Sequence, residues 1–367
     1  MKIGITTFQR AHNFGAQMQM YALAHFLEGE GFDVSILDYH NPWVEDQYLN
    51  IKYFHPYKKF FFKRIYPGVV LFFRCILTWI LGYQKIKIER FNQFLIENFK
   101  LTPRFRKPNE IPEEFDVLIT GSDQVWNYFI THGRCEVYFL DNQSYFGLPS
   151  KKISYAVSVE GTHFQELIQD AEYVKYALKK FYWISVREKA LSNLLEEKFN
   201  IQTDAVVDPS LFLTKEECLK LAVKPKEEKF LCVYRIEHTS YILKLAKRIA
   251  KERGLKIVNV YAANMAKSKS ESYGPREILG YICYADVVVT SSFHGTAFSI
   301  INRKDFYAAY DGPSVRVQNL LSLLDLHNRF LTKLEDYTSF SKITFNDELL
   351  QEQIQESKEK LIRAIQS

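Results

Sequence analysis

The side chains best suited to chemistry in this sequence stand at the ends of apolar runs. Val287-Val288-Val289-Thr290 is a β-branched run that reads as a buried parallel strand, and Ser291-Ser292-Phe293-His294-Gly295-Thr296-Ala297 reads as a turn opening into a helix. His294 therefore falls at a strand-to-helix crevice. There, open α/β sheets bind ligands, and the helix offers unpaired N–H groups and a positive dipole end to an anion. Its imidazole changes charge near neutral pH, which suits proton transfer, but the same ring could simply cap the helix or pack beneath a loop. Trp183-Ile184-Ser185-Val186 delivers Arg187 in the same way. A guanidinium placed there offers a planar fork to a carboxylate or phosphate, with an ion pair to Glu188 or Asp208 as the structural alternative. Phe115 to Thr120 delivers Gly121-Ser122-Asp123-Gln124, where Asp123 either accepts from a ligand hydroxyl or caps a short helix. No H-E-x-x-H pattern and no carboxylate cluster of ligand spacing occurs, so no metal is expected.

Strands and helices alternate along the chain to position these residues. A strand at Lys2 to Thr7, a turn at Gly15, a helix to Gly29 and a strand at Asp33 to Tyr39 make half of a doubly wound unit. No G-x-G-x-x-G fingerprint accompanies it, which disfavours a nicotinamide cofactor. Helices are expected at Ile86 to Phe99 and His163 to Lys179. Lysines and glutamates around Pro225 read as a linker, and the alternation then resumes through a helix at Ser240 to Gly254 and another at Gly274 to Tyr284. With 367 residues, two domains are the first expectation. The expected fold is α/β: two doubly wound, Rossmann-like domains facing a cleft, residues 1–223 and 224–335, followed by a C-terminal helix (336–367) that packs back across the junction. Residues 44–100 are expected to form a helical insertion in the first domain. Within it, Tyr53 to Arg64 interleaves bases with aromatics and Val69 to Leu81 is apolar, too short to span a bilayer. The segment from Tyr53 to Tyr83 is either a core helix or an interfacial one that holds anionic lipid. A net charge of +5 suits an anionic small molecule or a phospholipid surface, and no nucleic-acid motif is present. Five scattered cysteines without a Cys-x-x-Cys pair read as reduced thiols. Met1-Lys2-Ile3-Gly4-Ile5 enters a strand without signal-peptide features, so the expected location is cytoplasmic, at the inner face of the cell membrane if the basic aromatic segment docks there.

Four segments, in order, carry a resemblance to the polysaccharide pyruvyl transferase family: Asn13-Phe14-Gly15-Ala16-Gln17-Met18-Gln19, Gly121-Ser122-Asp123-Gln124-Val125-Trp126-Asn127, Ile184-Ser185-Val186-Arg187-Glu188 with Val207-Asp208-Pro209, and the stretch around His294. The resemblance implies a glycosyltransferase-B-like arrangement and an enzyme that moves the enolpyruvyl carbons of phosphoenolpyruvate onto two hydroxyls of a sugar. The product is a pyruvate ketal on a cell-surface polysaccharide or its lipid-linked precursor. It also implies an anion-binding arginine at Arg187 and a second cation at Arg316, although Val317 stands where many relatives have an aromatic. On this reading Arg187, His294, Gly295 and Arg316 hold the donor, and no cofactor is needed. His294 is either the acid that protonates the vinyl carbon or a pure phosphate ligand, and Asp123 or Glu160 is the base. Asn13, Gly15, Gln19, Ser122, Asp123, Trp126 and Asn127 are the expected acceptor side: Trp126 would offer an aromatic face to a sugar, and the amides would bond its hydroxyls. Asx turns and helix capping are the plainer roles for the same residues. A nucleotide-sugar glycosyltransferase on the same scaffold is the alternative, and a catalytically dead binding protein a weaker third, because fold alone does not fix function.

Overall fold

The computed structural model describes residues 1–46, 83–110, 114–141, 150–262 and 272–367. Most of the expected insertion, and with it nearly all of the segment read as core helix or interfacial helix, lies outside the described residues.

In the first unit the apolar runs become strands covered on both faces. They are β1 (Lys2–Thr6), β2 (Asp33–Ile36), β3 (Val117–Asp123), β4 (Lys151–Val157), β5 (Trp183–Val186) and β6 (Asp204–Ala205). They form one sheet in the order β2-β1-β3-β4-β5-β6, and every pair is parallel. The order reverses between β1 and β3, so the loops leaving their carboxyl ends part at that point and open a crevice.

The helices of this part of the chain are α1 (Phe14–Gly29), α2 (Pro42–Asp46), α3 (Tyr83–Asn98), α4 (Tyr128–Thr131), α5 (Phe164–Gln169), α6 (Ala171–Leu178) and α7 (Lys189–Phe199). The expected turn at Gly15 is already helical: Asn13 caps α1 by accepting from the Ala16 N–H at 3.2 Å, which starts the helix at Phe14. The helix expected over His163 to Lys179 is two helices broken at Asp170. Its carboxylate is held by Arg134 at 2.8 and 2.7 Å and by the Tyr128 hydroxyl at 2.9 Å.

The second unit repeats the topology. Its strands β7 (Phe230–Arg235), β8 (Lys256–Ala262), β9 (Val287–Thr290), β10 (Asp305–Ala309) and β11 (Phe330–Leu331) lie in the order β11-β10-β9-β7-β8, again all parallel. Counted from its own first strand, this is 2-1-3-4-5, the order of the first five strands of the first unit, with the reversal between β7 and β9. The accompanying helices are α8 (Lys215–Leu221), α9 (Ile242–Arg253), α10 (Pro275–Tyr284), α11 (Phe293–Ile301) and α12 (Val315–Ser322), followed by the C-terminal α13 (Glu348–Gln366).

The two compact units comprise Met1–Tyr48, Leu95–Phe212 and Leu350–Ser367, and Leu49–Phe94 with Leu213–Leu349. The divide at Phe212 places α8 with the second unit. Its capping box, Thr214 with Glu217, was not read from the sequence. Gly280 of α10 lies directly on the Val223 carbonyl behind α8, with no room for a Cβ. α13 belongs to the first unit: Ser357 accepts from the Val207 N–H at 3.1 Å, and Lys360 pairs with Asp204 at 3.1 Å. Cys135, Cys218, Cys232 and Cys283 are buried free thiols. Among the described residues, no helix is long and apolar enough to cross a membrane.

Candidate functional site

In each sheet the motif residues stand at the carboxyl ends of the strands: Ser122 and Asp123 at the reversal and Arg187 after β5 in the first, His294 at the reversal in the second. In the first unit a buried polar network ties the loops together. Gln19 donates to Thr7 Oγ1 at 3.2 Å, and Thr7 donates to the Ser122 carbonyl at 3.0 Å. Arg187 donates to Ser122 Oγ at 2.5 Å and pairs with Asp208 at 2.7 Å; its side chain is 4 % exposed. Asp208 also accepts from the N–H and hydroxyl of Ser210, and Ser158 donates to Glu188 at 2.8 Å. Burial alone would lower the Arg187 pKa, but the carboxylates of Asp208, Glu188 and Asp123 outweigh it and hold the guanidinium charged.

This network revises several roles. Arg187 takes the ion pair with Asp208 that was its structural alternative, and braces the Ser122 loop. Trp126 is 1 % exposed, stacks on Phe139 and donates its indole N–H to the Tyr138 carbonyl at 2.9 Å, so it offers no face to a sugar. Gln19 is fully buried, and Asn127 is a buried cap of α4 that accepts from the Phe129 N–H. Gly15 lies within α1 and is buried. Asn13, half-buried at the mouth of α1, and Asp123 remain at the edge of the crevice. Asp123 takes a left-handed backbone (φ 75°) and accepts from its own Gln124 N–H at 2.9 Å, while the preceding Gly121 (φ 109°) presses against Val157 and the Tyr155 carbonyl where no Cβ fits. Glu160 is exposed after β4, its N–H on the Gln124 side chain at 3.3 Å.

In the second unit His294 is the second residue of α11, half-buried, with its ring edge-on to Phe293 at 5.3 Å. Ser292 caps the helix by accepting from Gly295 N–H at 3.2 Å, so Gly295 does not offer that group to a ligand. Phe293 and His294 form the first turn of α11, whose positive dipole end lies at this edge of the sheet. Gly295 instead brings α11 down on the sheet: a Cβ there would collide with Thr290 Oγ1 and lie 2.8 Å from Tyr234 Cδ1. Ser291 donates to the Glu237 carbonyl at 2.8 Å, joining the loops after β9 and β7. Arg316 stands half-buried in the first turn of α12, which packs on α11. Tyr310, at the end of β10, links these parts. Burial pushes its phenol pKa up, Glu237 adds to the rise, and Arg316 and a hydrogen bond with Ser314 oppose it. His294 and Arg316 thus share one carboxyl edge, with Tyr310 and Glu237 beside them. Neither of these last two stands out in the sequence: a tyrosine just after a strand reads as core, and Glu237 reads as an ordinary loop carboxylate.

Among the described residues, no group of three or more His, Cys, Asp or Glu side chains is arranged to hold a metal ion. A sequence model of the polysaccharide pyruvyl transferase family matches residues 13–310. No curated protein is significantly similar in sequence. Among solved structures, the chain is similar to UDP-GlcNAc 2-epimerase from Neisseria meningitidis bound to UDP-GlcNAc, at 10% identity and TM-score 0.48 over 100% of this chain and 99% of that one. It is also similar to UDP-GlcNAc 2-epimerase from Methanocaldococcus jannaschii (10%, TM-score 0.48, 99% of each chain). A third likeness is to E. coli heptosyltransferase WaaC with ADP-2-deoxy-2-fluoro heptose (9%, TM-score 0.38, 86% of this chain and 90% of that one). The fold class rests on the two parallel sheets.

Proposed function

Because the chain belongs to the polysaccharide pyruvyl transferase family, we propose that it transfers the enolpyruvyl carbons of phosphoenolpyruvate onto two hydroxyls of a sugar in a cell-surface glycan or its lipid-linked precursor. The observation that carries the reading is the placement of His294 on the first turn of α11, at the strand-order reversal, with Arg316 on the first turn of the adjoining α12. A donor with a carboxylate and a phosphate suits cations and the positive end of a helix dipole, and this edge carries Arg316, His294 and the N-terminus of α11. Arg187 enters the proposal as a positioning residue, because its charge is already committed to Asp208.

In the reaction, a proton goes to the vinyl carbon and leaves a cationic centre at the carbon bearing phosphate. One sugar hydroxyl adds there and gives its proton to a base. The second hydroxyl then closes the ring, and phosphate departs with the remaining proton. His294 is the acid or the phosphate ligand. Asp123, half-buried at a strand end, or Glu160, exposed after β4, is the base.

Release of inorganic phosphate from phosphoenolpyruvate that depends on an added sugar tests the reading. Donor binding is tested separately by melting: a ligand at 100 times its Kd adds about 2.7 kcal/mol of stability. Stabilisation by nucleotide sugars, with none by phosphoenolpyruvate, would overturn it.

A further inference from the structure

With Trp126 inside the core, the first unit needs another aromatic surface if it is to hold a sugar. Two exposed rings stand at the same carboxyl edge. Trp43, in α2 after β2, is 36% exposed, and Phe129, in α4 after β3, is 65% exposed. Each is stacked on a histidine: Trp43 on His132 at 4.2 Å and 17°, Phe129 on His163 at 4.6 Å and 15°.

The pairs are carried by adjoining elements: α2 packs on α4 and α4 on α5, and His132 is the left-handed C-cap of the turn that bears Phe129. Their orientation is fixed from below. Asn41 accepts from the N–H groups of Trp43 and Val44 at 3.0 and 3.3 Å, Asn127 caps the turn carrying Phe129, and Glu166 holds His163 at 3.3 Å. Each aromatic ring therefore has one face against an imidazole, and the exposed remainder turns to solvent.

We propose that Trp43 and Phe129, with His132 and His163, form the platform on which a pyranose ring of the acceptor glycan rests. The apolar C–H face of a sugar ring matches an aromatic face, and imidazole nitrogens both donate to and accept from hydroxyls. Chemistry decides against an apolar partner protein as the occupant: each exposed ring lies against an imidazole, so hydrogen-bonding nitrogens stand beside its apolar face. The proposal rests on the pyruvyl transferase reading for its choice of a glycan.

The full chain is applied to a printed array of pyranose oligosaccharides, alongside Trp43→Ala, Phe129→Ala and Phe129→Tyr. Both alanine variants should bind the preferred glycan about tenfold more weakly, the effect of losing one ring contact of ~1.4 kcal/mol, while Phe129→Tyr keeps most of the binding. With that glycan as acceptor, KM should rise and kcat change little. Because the rings are exposed, melting temperatures of the variants should match the parent chain; a variant that melts lower is replaced by His132→Ala or His163→Ala, with the same expected loss. Unchanged glycan binding in both alanine variants, or no binding of any pyranose by the parent chain, overturns the platform. The melting shift with phosphoenolpyruvate reports on the donor reading alone, and should be equal in all four proteins.

Discussion

At the scale of single residues, the two charged motifs divide into one that stands at a strand-end edge and one that holds the fold. His294 and Arg316 stand half-buried at an edge, whereas Arg187 is locked against Asp208. Arg316→Ala should weaken phosphoenolpyruvate binding tenfold or more, since a charge-assisted hydrogen bond contributes about 1.5–3 kcal/mol. If His294 is the acid, His294→Ala should lower turnover about a hundredfold with a smaller change in donor binding. If it is a phosphate ligand, binding and turnover fall together and His294→Lys restores part of both. Steady-state kinetics beside donor titrations separate the two. Arg187→Ala should behave differently from both. It strands a buried carboxylate, at a cost of about 3–5 kcal/mol, so the denaturant midpoint should fall before any effect on the donor is seen. Replacing Arg187 and Asp208 together with Met and Leu should recover much of that loss. A stable Arg187→Ala protein that has lost donor binding alone would restore the arginine to the donor site.

At the scale of elements, α11 sits where it does because Gly295 has no side chain. Gly295→Ala should push the helix off Thr290 and Tyr234, costing about 1–3 kcal/mol, and should carry His294 away from its edge. Gly280→Ala makes a comparable collision with the Val223 backbone but lies on α10, away from the strand ends. Both should lower the melting temperature, and only Gly295→Ala should also reduce turnover measured well below that temperature. Equal turnover losses in the two would mean that the position of α11 does not govern the chemistry.

At the scale of the molecule, the chain returns to the first unit through α13, which buries Leu350, Ile354, Leu361 and Ile365. Full burial of such side chains contributes about 1.5–3 kcal/mol each, so deleting residues 348–367 removes an amount comparable with the 5–15 kcal/mol of a typical domain. The first unit of the truncated chain should lose its hydrogen-exchange protection, the Val207 N–H with it.

Alkali should act on both units. Burial raises the thiols of Cys218, Cys232 and Cys283 above their ordinary 9.0, Cys283 to about 12, and the phenols of Tyr128 and Tyr310 above their ordinary 10.0. These groups keep protons in the folded state that the unfolded chain releases. Their stabilisation is complete below about pH 9 and is lost as the pH rises from there towards the folded values. The half-buried Lys152 and Lys304, whose pKa values burial depresses, act in the opposite sense and blunt the decline. Calorimetric melting temperatures at pH 8, 9, 10 and 11 should fall progressively from pH 9, and Cys232→Val should reduce the slope.

The sequence by itself determined the class of fold, because runs such as Val287–Thr290 and Val117–Thr120 are apolar without alternation, and only strands covered on both faces require that. It also determined the family, and that His294 opens a helix at a strand end, since both are properties of contiguous residues. What only the tertiary structure decided is which polar groups are spent on one another. Arg187 is equally apt for a phosphate and for Asp208, and the choice depends on a carboxylate 21 residues later in the chain arriving 2.7 Å away. Trp126 is equally apt for a sugar and for the core until Phe139 and the Tyr138 carbonyl close over it. The break at Asp170 was hidden for the same reason. Each is fixed by a partner distant in sequence, and periodicity within a short window carries no record of such a partner.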